Sequence, residues 1–254
     1  MSKFYIISDV HGFYYEMREA LNEAGFDPND ENSWLVSLGD EIDRGPNPGE
    51  VIDYLMNLPR AIFIKGNHQL LMEQMLKRGY AAKHDWSNGT MRSVLELAPE
   101  AQTADEGFEI AYRKLKPFFD QTINYLELNN HIFVHSWIPV INTTNLPMYS
   151  IQNGKFEFNP NWRNASDLEW EDSFWGNPYL LAEQGLLPDK QIIFGHYHTS
   201  FARHRYDNEP EWGLGANFDP YYGKGYIGID GCCAYSGKIN CLVLEDDFIN
   251  GKGT

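Results

Sequence analysis

The sequence predicts an α/β fold in which two mixed β-sheets pack as a sandwich and helices flank them. Strand-like and helical segments alternate through the first third of the 254-residue chain, and the crossovers between them require parallel strands. Further strand-like segments in the second half of the chain favour a second sheet. The clearest strands are short β-branched or aromatic runs, which lie at Phe4–Ile7, Trp34–Leu38, Ala61–Ile64, Ile132–Val134 and Ile192–Phe194.

Helices separate the first three strands. Residues 14–24 and 48–58 carry apolar side chains at helical spacing, and Gly25 and Pro59 end these two helices. A third helix is predicted to begin at Gln69. Strands and helices therefore follow one another as a βαβαβ unit, which is expected to form the metal-binding core of the first sheet.

The whole chain, residues 1–254, is predicted to be one domain with insertions at about 80–130 and 137–190. The first insertion is mostly helical, and the second contains several prolines, asparagines and aromatic residues. We interpret both as covers over the edge of the sheet that carries the chemistry, with a satellite core as the alternative. Near the end of the chain, Tyr226–Asp230 and Lys238–Leu244 are predicted to form an antiparallel pair because their connection is short.

The composition excludes several classes of protein. Hydrophobic residues make up 43% and aromatic residues 15%, which indicates a packed globule and not a disordered chain. The formal charge of −16 argues against a nucleic-acid partner, because such a surface needs a basic patch. With neither a leader-like amino terminus nor an apolar run of about 18 residues, the protein is expected to be cytoplasmic and to have no membrane partner. The cysteines are expected to be buried thiols, at Cys232, Cys233 and Cys241.

Six short segments combine the residue types that bind metal ions, and almost every one directly follows a predicted strand. In open α/β sheets, sites form at the carboxyl ends of the strands, so these segments are expected to meet at one edge. A single segment of this kind is more often a turn or a satisfied polar pair, but together they predict a centre of two metal ions. The segments are Asp9-Val10-His11, Gly39–Gly45, Gly66-Asn67-His68, Val134-His135-Ser136, Gly195–His198 and Gly228–Gly231.

A two-metal centre needs one ligand that bridges both ions and a set of oxygen and imidazole ligands around it. Asp40, at the end of the second strand, is the natural bridge. Asn67 offers a neutral amide oxygen, which limits the negative charge of the site and lets a phosphate dianion approach. The full set of predicted ligands is Asp9, His11, Asp40, Asn67, His135, His196 and His198.

These motifs resemble those of the calcineurin-like metallophosphoesterase superfamily. Its signature is Asp-x-His, Gly-Asp-x-x-Asp-Arg, Gly-Asn-His-Glu, a lone His after a strand, and a late Gly-His-x-His. Within the superfamily, Gly39–Gly45 and the ending from Ile229 to Leu244 are similar to the branch of protein serine/threonine phosphatases and bacterial diadenosine tetraphosphatases. The resemblance spans nearly the whole chain and is loosest over 80–130 and 140–190. Its motifs are specific to the superfamily and much less specific to a substrate.

The resemblance implies that phosphate esters are hydrolysed by a water molecule that two metal ions activate. The implied ligands of the first ion are Asp9, His11, Asp40 and His198, and those of the second are Asp40, Asn67, His135 and His196. The resemblance also implies that His68 is the general acid and that Asp43 orients it. Arg44 would bind the phosphate group, with Asn67 as a further substrate contact. Mn²⁺ is the ion we expect, and Fe, Zn²⁺ or Ni²⁺ would suit the same ligands.

The chain departs from the family pattern at two places. Gln69 stands where the family has a glutamate, so we expect a carboxylate contact behind the metal ligands to be missing. The second phosphate-binding arginine of the protein phosphatases is also missing, because the equivalent stretch, 170–173, contains no basic residue. Arg163, Arg203 or Arg205 could substitute, and Arg203 and Arg205 are predicted to bind a distal phosphate of the substrate.

The predicted function is therefore that of a phosphatase of the protein phosphatase-like branch that acts on a phosphomonoester or a nucleotide polyphosphate. A serine/threonine phosphoprotein phosphatase is the alternative with the same chemistry, and the charge of −16 argues against it because phosphoproteins are often acidic. A catalytically silent binding scaffold is an alternative of another class. Such a protein should lack a metal ligand or the acid, and this sequence contains all of them.

Overall fold

A computed structural model describes residues 2–144, 146–148 and 154–249 of the chain, so the predicted second insertion falls partly outside the described residues. The first half of the chain alternates strand and helix as predicted, with β1 Ser2–Ile7, α1 Tyr14–Glu23, β2 Ser33–Ser37, α2 Pro48–Met56, β3 Ala61–Ile64 and α3 Asn67–Arg78. Three helices and two short strands follow, namely α4 Lys83–Ser87, α5 Thr90–Leu97, α6 Ala104–Phe119, β4 Thr122–Ile123 and β5 Leu126–Glu127.

The second half of the chain contains shorter elements. They are β6 His131–Phe133, β7 Ile141–Asn142, β8 Phe156–Glu157, α7 Asp167–Ser173, α8 Pro178–Glu183, β9 Gln191–Phe194, α9 Thr199–Ala202, β10 Tyr221–Gly223, β11 Tyr226–Gly228, α10 Cys233–Ser236 and β12 Leu242–Asp246. A 3₁₀ turn lies at Trp162–Asn164 and a π-helical turn at Arg203–Asp207. Across the described ranges, no helix combines the length and the apolar character that crossing a bilayer demands.

The strands form two mixed five-stranded sheets, which confirms the predicted fold class. The first sheet has the order β12–β1–β2–β3–β4, with β1 to β4 parallel and β12 antiparallel to β1. The second has the order β10–β11–β9–β6–β5, with a parallel centre and an antiparallel strand at each edge. β7 and β8 form a separate two-stranded pair.

The central strands are buried on both faces, because alternate residues of a strand point to opposite sides of its sheet. In β1, Phe4 and Ile6 lie in the core between the sheets, where they join Ile193 of the second sheet. Tyr5 and Ile7 point the other way, into a core that the helices of the first half of the chain cover. The long apolar runs in the sequence therefore belong to strands at the centre of a sandwich.

The two predicted insertions contribute to the sandwich itself. The last part of 80–130 supplies β4 to the first sheet and β5 to the second. In the described part of 137–190, Trp162, Trp170 and Tyr179 are buried against the outer face of the second sheet. These aromatic side chains therefore stabilise a core on that face, as the satellite-core interpretation expects.

The predicted antiparallel pairing at the end of the chain is wrong, because the two strands join different sheets. β11 pairs with β9 and β10 in the second sheet, whereas β12 pairs with β1 in the first. Ile227 and Leu242 both contribute to the core between the sheets, so these strands bury their apolar side chains by facing each other across that core. The local hairpin is instead β10–β11, which turns at Gly225 with a φ of +84°.

A buried carboxylate on β12 connects the first sheet to the start of β6 in the second. Asp246 accepts hydrogen bonds from the backbone N–H of Asn130 at 3.1 Å, from Asn130 Nδ2 at 3.0 Å and from His131 Nδ1 at 2.6 Å. Burial would raise the pKa of Asp246, but the hydrogen bonds from His131 and from backbone N–H groups outweigh it and hold the pKa below its ordinary value. This stabilisation is fully present above pH about 4 and is lost as the pH falls through the folded-state pKa.

Replacing Asp246 with alanine should lower the free energy of unfolding at pH 7 by about 2–3 kcal/mol, because the donors of Asn130 and His131 lose their acceptor. Denaturant unfolding measures this change. The exposed Asp53 on α2 provides the control, and Asp53→Ala should change the free energy by less than about 0.5 kcal/mol. The difference between wild type and Asp246→Asn should narrow from about pH 4 to about pH 2. A constant difference over that range would contradict the role of the ionised carboxylate.

Candidate metal centre

The loops after five strands, three in the first sheet and two in the second, bring their polar side chains into contact with one another. They follow β1, β2, β3, β6 and β9, as predicted for the carboxyl ends of parallel strands. All the side chains in this group are buried except that of His196, which is partly exposed. The group consists of Asp9, His11, Asp40, Asn67, His68, His135 and His196.

The chain turns sharply in these loops, and several of their residues adopt left-handed backbone. Among the described residues, eight non-glycine residues have a φ between +49° and +73°, and six of them belong to the loops: Asp9, His11, Asp40, Asp43, Arg44 and His196. Each such residue costs on the order of 1 kcal/mol. Hydrogen bonds between the loops offset this cost, since His11 N donates to Asp40 O at 2.8 Å and Gly45 N donates to His11 O at 2.7 Å. The loops after β1 and β2 are therefore held as one unit.

One cluster of potential metal ligands contains His11, Asp40 and His68, whose ligand atoms all lie within 4.8 Å of one another. Nε2 of His11 is 3.8 Å from Asp40 Oδ2 and 4.0 Å from Asp9 Oδ1. Nε2 of His68 is 4.0 Å from Asp40 Oδ2. Two carboxylates and an imidazole from the predicted ligand set thus surround one position.

A second cluster contains Asp40, His135 and His196. Nε2 of His135 is 3.5 Å from Asp40 Oδ2 and 2.8 Å from Asn67 Oδ1. Nδ1 of His196 is 3.0 Å from the same amide oxygen. Asp40 is the residue common to the two clusters, so its carboxylate occupies the place of a bridging ligand.

Hydrogen bonds on the far side of two imidazoles determine which nitrogen faces the clusters. His11 Nδ1 lies 2.9 Å from the carbonyl oxygen of Ile42, and His135 Nδ1 lies 2.7 Å from that of Leu38. A carbonyl oxygen can only accept, so Nδ1 carries the proton in both residues and Nε2 presents a lone pair. This is the tautomer that a metal-binding histidine requires.

The pKa values of the buried groups favour the binding of cations. Burial, together with the charge of Asp40, raises the pKa of Asp9 to about 7. Burial lowers the pKa of His11 well below its ordinary value, and it lowers the pKa of His196 to about 3. Asp230, which follows β11, has its pKa raised well above the ordinary value by burial and by the charge of Asp9. Neutral imidazoles beside crowded carboxylates form a donor set that fits divalent metal ions.

His68 also forms a close pair with Asp43. His68 Nδ1 lies 2.6 Å from Asp43 Oδ2, and the Asp43 side chain is completely buried. Thr90 Oγ1 and Ser93 Oγ on α5 donate to the same carboxylate at 2.7 and 2.9 Å. The pair fixes the orientation of the imidazole and leaves Nε2 facing the first cluster. Thr90 and Ser93 were not among the predicted site residues, although their i, i+3 spacing places both on one face of a helix.

Arg44 lies at the exposed mouth of the site. Its NH1 is 2.9 Å from Nε2 of His11, and its NH2 is 3.1 Å from Nε2 of His68. The planar guanidinium group therefore faces the first cluster with both of its terminal nitrogens. Such a group can bind two oxygens of a phosphate at once.

Gln69 forms buried hydrogen bonds behind the predicted metal ligands. Its amide oxygen accepts hydrogen bonds from the backbone N–H of Asp40 at 3.1 Å and of Gly66 at 3.0 Å. Its amide nitrogen donates to Glu41, which also accepts from Ser37 Oγ. The acceptor role needs only an oxygen, and Glu41 supplies a buried carboxylate beside Gln69, whose amide nitrogen it accepts from; burial raises the pKa of Glu41 to about 8. Glu41 was not among the predicted site residues.

His198 is not brought into either cluster of described residues. Its Nδ1 accepts from the backbone N–H of Phe201 at 3.2 Å, where it caps the first turn of α9. Its Nε2 lies 3.5 Å from Oε1 of Glu211, and its ring centroid lies 4.4 Å from that of Trp212. Its predicted role as a metal ligand thus stays a prediction.

The three arginines considered for the second phosphate contact have other partners. Arg205 donates through Nε and NH2 to Glu183 at 2.8 and 2.9 Å. Arg163 forms the same kind of paired contact with Glu127 at 2.8 and 2.7 Å. Arg203 donates to the carbonyl oxygen of Pro220 at 3.2 Å. None of the contacts described for these side chains is to a residue of the two clusters.

The order and spacing of these motifs match a known family. Residues 2–210 match the model of the calcineurin-like phosphoesterases. The chain belongs to this family. Membership confirms the resemblance that the motifs indicated, and it places the two clusters within a calcineurin-like phosphoesterase fold.

Two curated relatives of this calcineurin-like phosphoesterase are named symmetrical bis(5'-nucleosyl)-tetraphosphatase. The protein of Proteus mirabilis is 43% identical over 67 residues, which are 26% of this chain and 24% of the relative. The protein of Aromatoleum aromaticum is 35% identical over 99 residues, which are 38% of this chain and 34% of the relative. The chain thus spans about a quarter to a third of the length of the curated relatives it matches.

A solved structure described provisionally as a diadenosine tetraphosphatase has the same fold. The two structures superpose with a TM-score of 0.51 at 18% identity, over 96% of this chain and 89% of the other. Coverage of this extent means that the likeness includes both sheets of the sandwich.

Replacing Asp40 with asparagine should abolish the binding of both ions and hydrolysis together, because the two clusters share this carboxylate. Elemental analysis of the dialysed protein and a phosphatase assay with added Mn²⁺ measure the two effects. Asp53→Asn, on the exposed side of α2, is the control and should change neither. Two ions retained per chain with hydrolysis intact would rule out the assignment of Asp40 as the bridge.

Replacing Gln69 with leucine should lower the free energy of unfolding by about 2–3 kcal/mol, because two buried backbone N–H groups lose their acceptor. Exchanging the pair, as Glu41→Gln with Gln69→Glu, keeps an acceptor at 69 and an amide donor at 41, so it should restore most of that loss. Denaturant unfolding measures the series, with Gln74→Leu on the exposed side of α3 as the control. The interpretation is wrong if the exchanged pair is as unstable as Gln69→Leu.

Proposed function

We propose that this protein is a metal-dependent phosphoric ester hydrolase whose preferred substrates are dinucleoside polyphosphates. The observation that carries the proposal is the shared carboxylate of Asp40, which belongs to two clusters of potential metal ligands. The His68–Asp43 pair and the Arg44 guanidinium group lie beside these clusters. A donor set of this kind serves hydrolysis at phosphorus.

Two divalent ions at this centre would supply Lewis-acid activation of water and would neutralise charge on the phosphoryl group. The residues proposed to hold them are Asp9, His11, Asp40, Asn67, His135, His196 and His198. Manganese is the proposed ion, since carboxylate and amide oxygens make up nearly half of these ligands.

His68 is proposed as the general acid. Its Nδ1 lies 2.6 Å from Asp43, so the ring is oriented with Nε2 towards the first cluster, where a leaving oxygen would receive the proton. Arg44 is proposed to bind the phosphoryl oxygens through NH1 and NH2, with Asn67 as a further contact. A guanidinium group can offset negative charge that develops on the phosphoryl group.

The substrate class is proposed from charge and from the relatives. A surface with a net charge of −16 repels acidic phosphoproteins, whereas a small polyphosphate needs only a few local cations. Relatives named as tetraphosphatases support the same class. Arg203 and Arg205 stay proposed contacts for a distal phosphate, and Arg205 would then exchange Glu183 for the substrate.

A cytoplasmic location is proposed because the cysteines are free.

A panel of substrates with added Mn²⁺ tests the proposal. It compares nitrophenyl phosphate, a nitrophenyl diester, phosphoserine peptides and diadenosine tetraphosphate. We expect the highest kcat/KM for diadenosine tetraphosphate. A kcat/KM for phosphopeptides above that of every nucleotide would favour the serine/threonine phosphoprotein phosphatase instead.

The same panel with His68→Ala tests the acid. This variant should keep both ions and lose about 10²–10⁴ in kcat for substrates with poor leaving groups. The loss should be smaller for nitrophenyl phosphate, because nitrophenolate leaves without a proton. Equal losses for good and poor leaving groups would count against proton donation by His68.

A further inference from the structure

Arg92 on α5 lies next to Arg44. Arg92 NH1 donates a hydrogen bond to the backbone carbonyl oxygen of Arg44 at 3.2 Å, and both side chains are exposed. The side chain of Arg44 runs from that backbone towards His11 and His68, where its NH1 and NH2 lie. The two guanidinium groups are therefore separated by no more than one arginine side chain and one hydrogen bond. Arg44 is the one that lies closer to the metal clusters.

The start of α5 is fixed against the loop that carries Arg44. Thr90 and Ser93 both donate to the Asp43 carboxylate, and Ser93 Oγ also accepts from the Asp43 backbone N–H at 2.8 Å. Gly89, just before the helix, has a φ of +87°, and a Cβ there would lie 2.6 Å from the backbone nitrogen of Arg44. Close packing and these hydrogen bonds hold the backbone of α5, from which Arg92 extends, at a defined place beside Arg44. A side chain on a fixed backbone loses less conformational entropy when it meets its ligand than one on a mobile segment.

Arg92 also differs from the arginines that form ion pairs. In this acidic chain four arginines form ion pairs with carboxylates: Arg78, Arg113, Arg163 and Arg205. In the part of the chain that the structure describes, the polar contact of Arg92 is to a carbonyl oxygen and not to a carboxylate. A guanidinium group has five N–H donors, so Arg92 keeps enough of them for a bidentate contact with a phosphate.

We propose that Arg92 binds a phosphate of the substrate that is distal to the bond cleaved, while Arg44 binds the reacting phosphate. This inference rests on the proposed function and deepens it, since it assigns polyphosphates and not simple monoesters to the site. Arg92 adds a second positive charge beside the backbone of Arg44, and a polyphosphate chain presents a row of negative charge. Arg92 thereby takes the place of the second phosphate-binding arginine, for which the segment 170–173 contains no candidate.

The variants Arg92→Ala and Arg92→Lys test the proposal in the metal-loaded protein. Arg113→Ala, an exposed arginine on the neighbouring helix α6, is the matched control because it removes the same charge. With Arg92→Ala, the ratio of kcat/KM for diadenosine tetraphosphate to that for nitrophenyl phosphate should fall about 10- to 100-fold, mainly through KM. Arg92→Lys should recover part of the loss, since a lysine supplies the charge without the bidentate contact. Arg113→Ala should leave the ratio unchanged.

A binding measurement keeps this test separate from that of the proposed function. Calorimetry with inorganic tripolyphosphate and with inorganic phosphate, at constant free Mn²⁺, reports the distal contact even if the wild-type protein hydrolyses no dinucleoside polyphosphate. Arg92→Ala should weaken tripolyphosphate binding about 10-fold or more and change phosphate binding much less. The proposal is overturned if both ligands lose affinity equally, if neither changes, or if Arg113→Ala has the same effect. Failure of the wild-type protein to hydrolyse dinucleoside polyphosphates would instead overturn the proposed substrate class alone.

Discussion

The position of the Asp40 carboxyl group is the constraint on which the rest of the site depends. Its Oδ1 accepts from the backbone N–H of His68 at 2.9 Å, and its Oδ2 lies 3.8 Å from His11 and 3.5 Å from His135. The Gln69 side chain accepts a hydrogen bond from the backbone N–H of Asp40. These partners follow strands of both sheets, so the site forms only when the two sheets pack together. The site is therefore complete only in the folded sandwich.

The site concentrates opposite charges in an acidic protein. Burial raises the pKa values of Asp9 and Asp230 and lowers those of His11 and His196. The buried site therefore contains potential metal ligands but too little positive charge to balance its carboxylates. Divalent ions supply that charge inside. At the mouth of the site, the positive charge comes from Arg44, which faces the clusters. An acidic surface and an anionic substrate are compatible because the attraction is local and the repulsion is partly screened by salt.

The segment 80–130 contributes to the site in a way that its mixed sequence does not predict. Its helix α5 completes the environment of Asp43 through Thr90 and Ser93, and it carries Arg92 to the backbone of Arg44. The described part of 137–190 instead buries aromatic side chains against the second sheet. Two segments that both interrupt the alternation of strands and helices therefore have different physical roles. One fixes Asp43 beside His68, and the other extends the core.

The sequence by itself determined the strands, the fold class and the metal-binding residue types, because burial and chirality place residues that follow parallel strands at one edge. Asp40 could be predicted as a bridging ligand for that reason. The tertiary structure decided the features that depend on contacts between residues far apart in the sequence. It placed β11 and β12 in different sheets, paired Gln69 with Glu41, and paired Arg205 with Glu183. Such choices rest on which groups meet across the packed core and on how each buried polar atom is satisfied, and neither is encoded in local spacing.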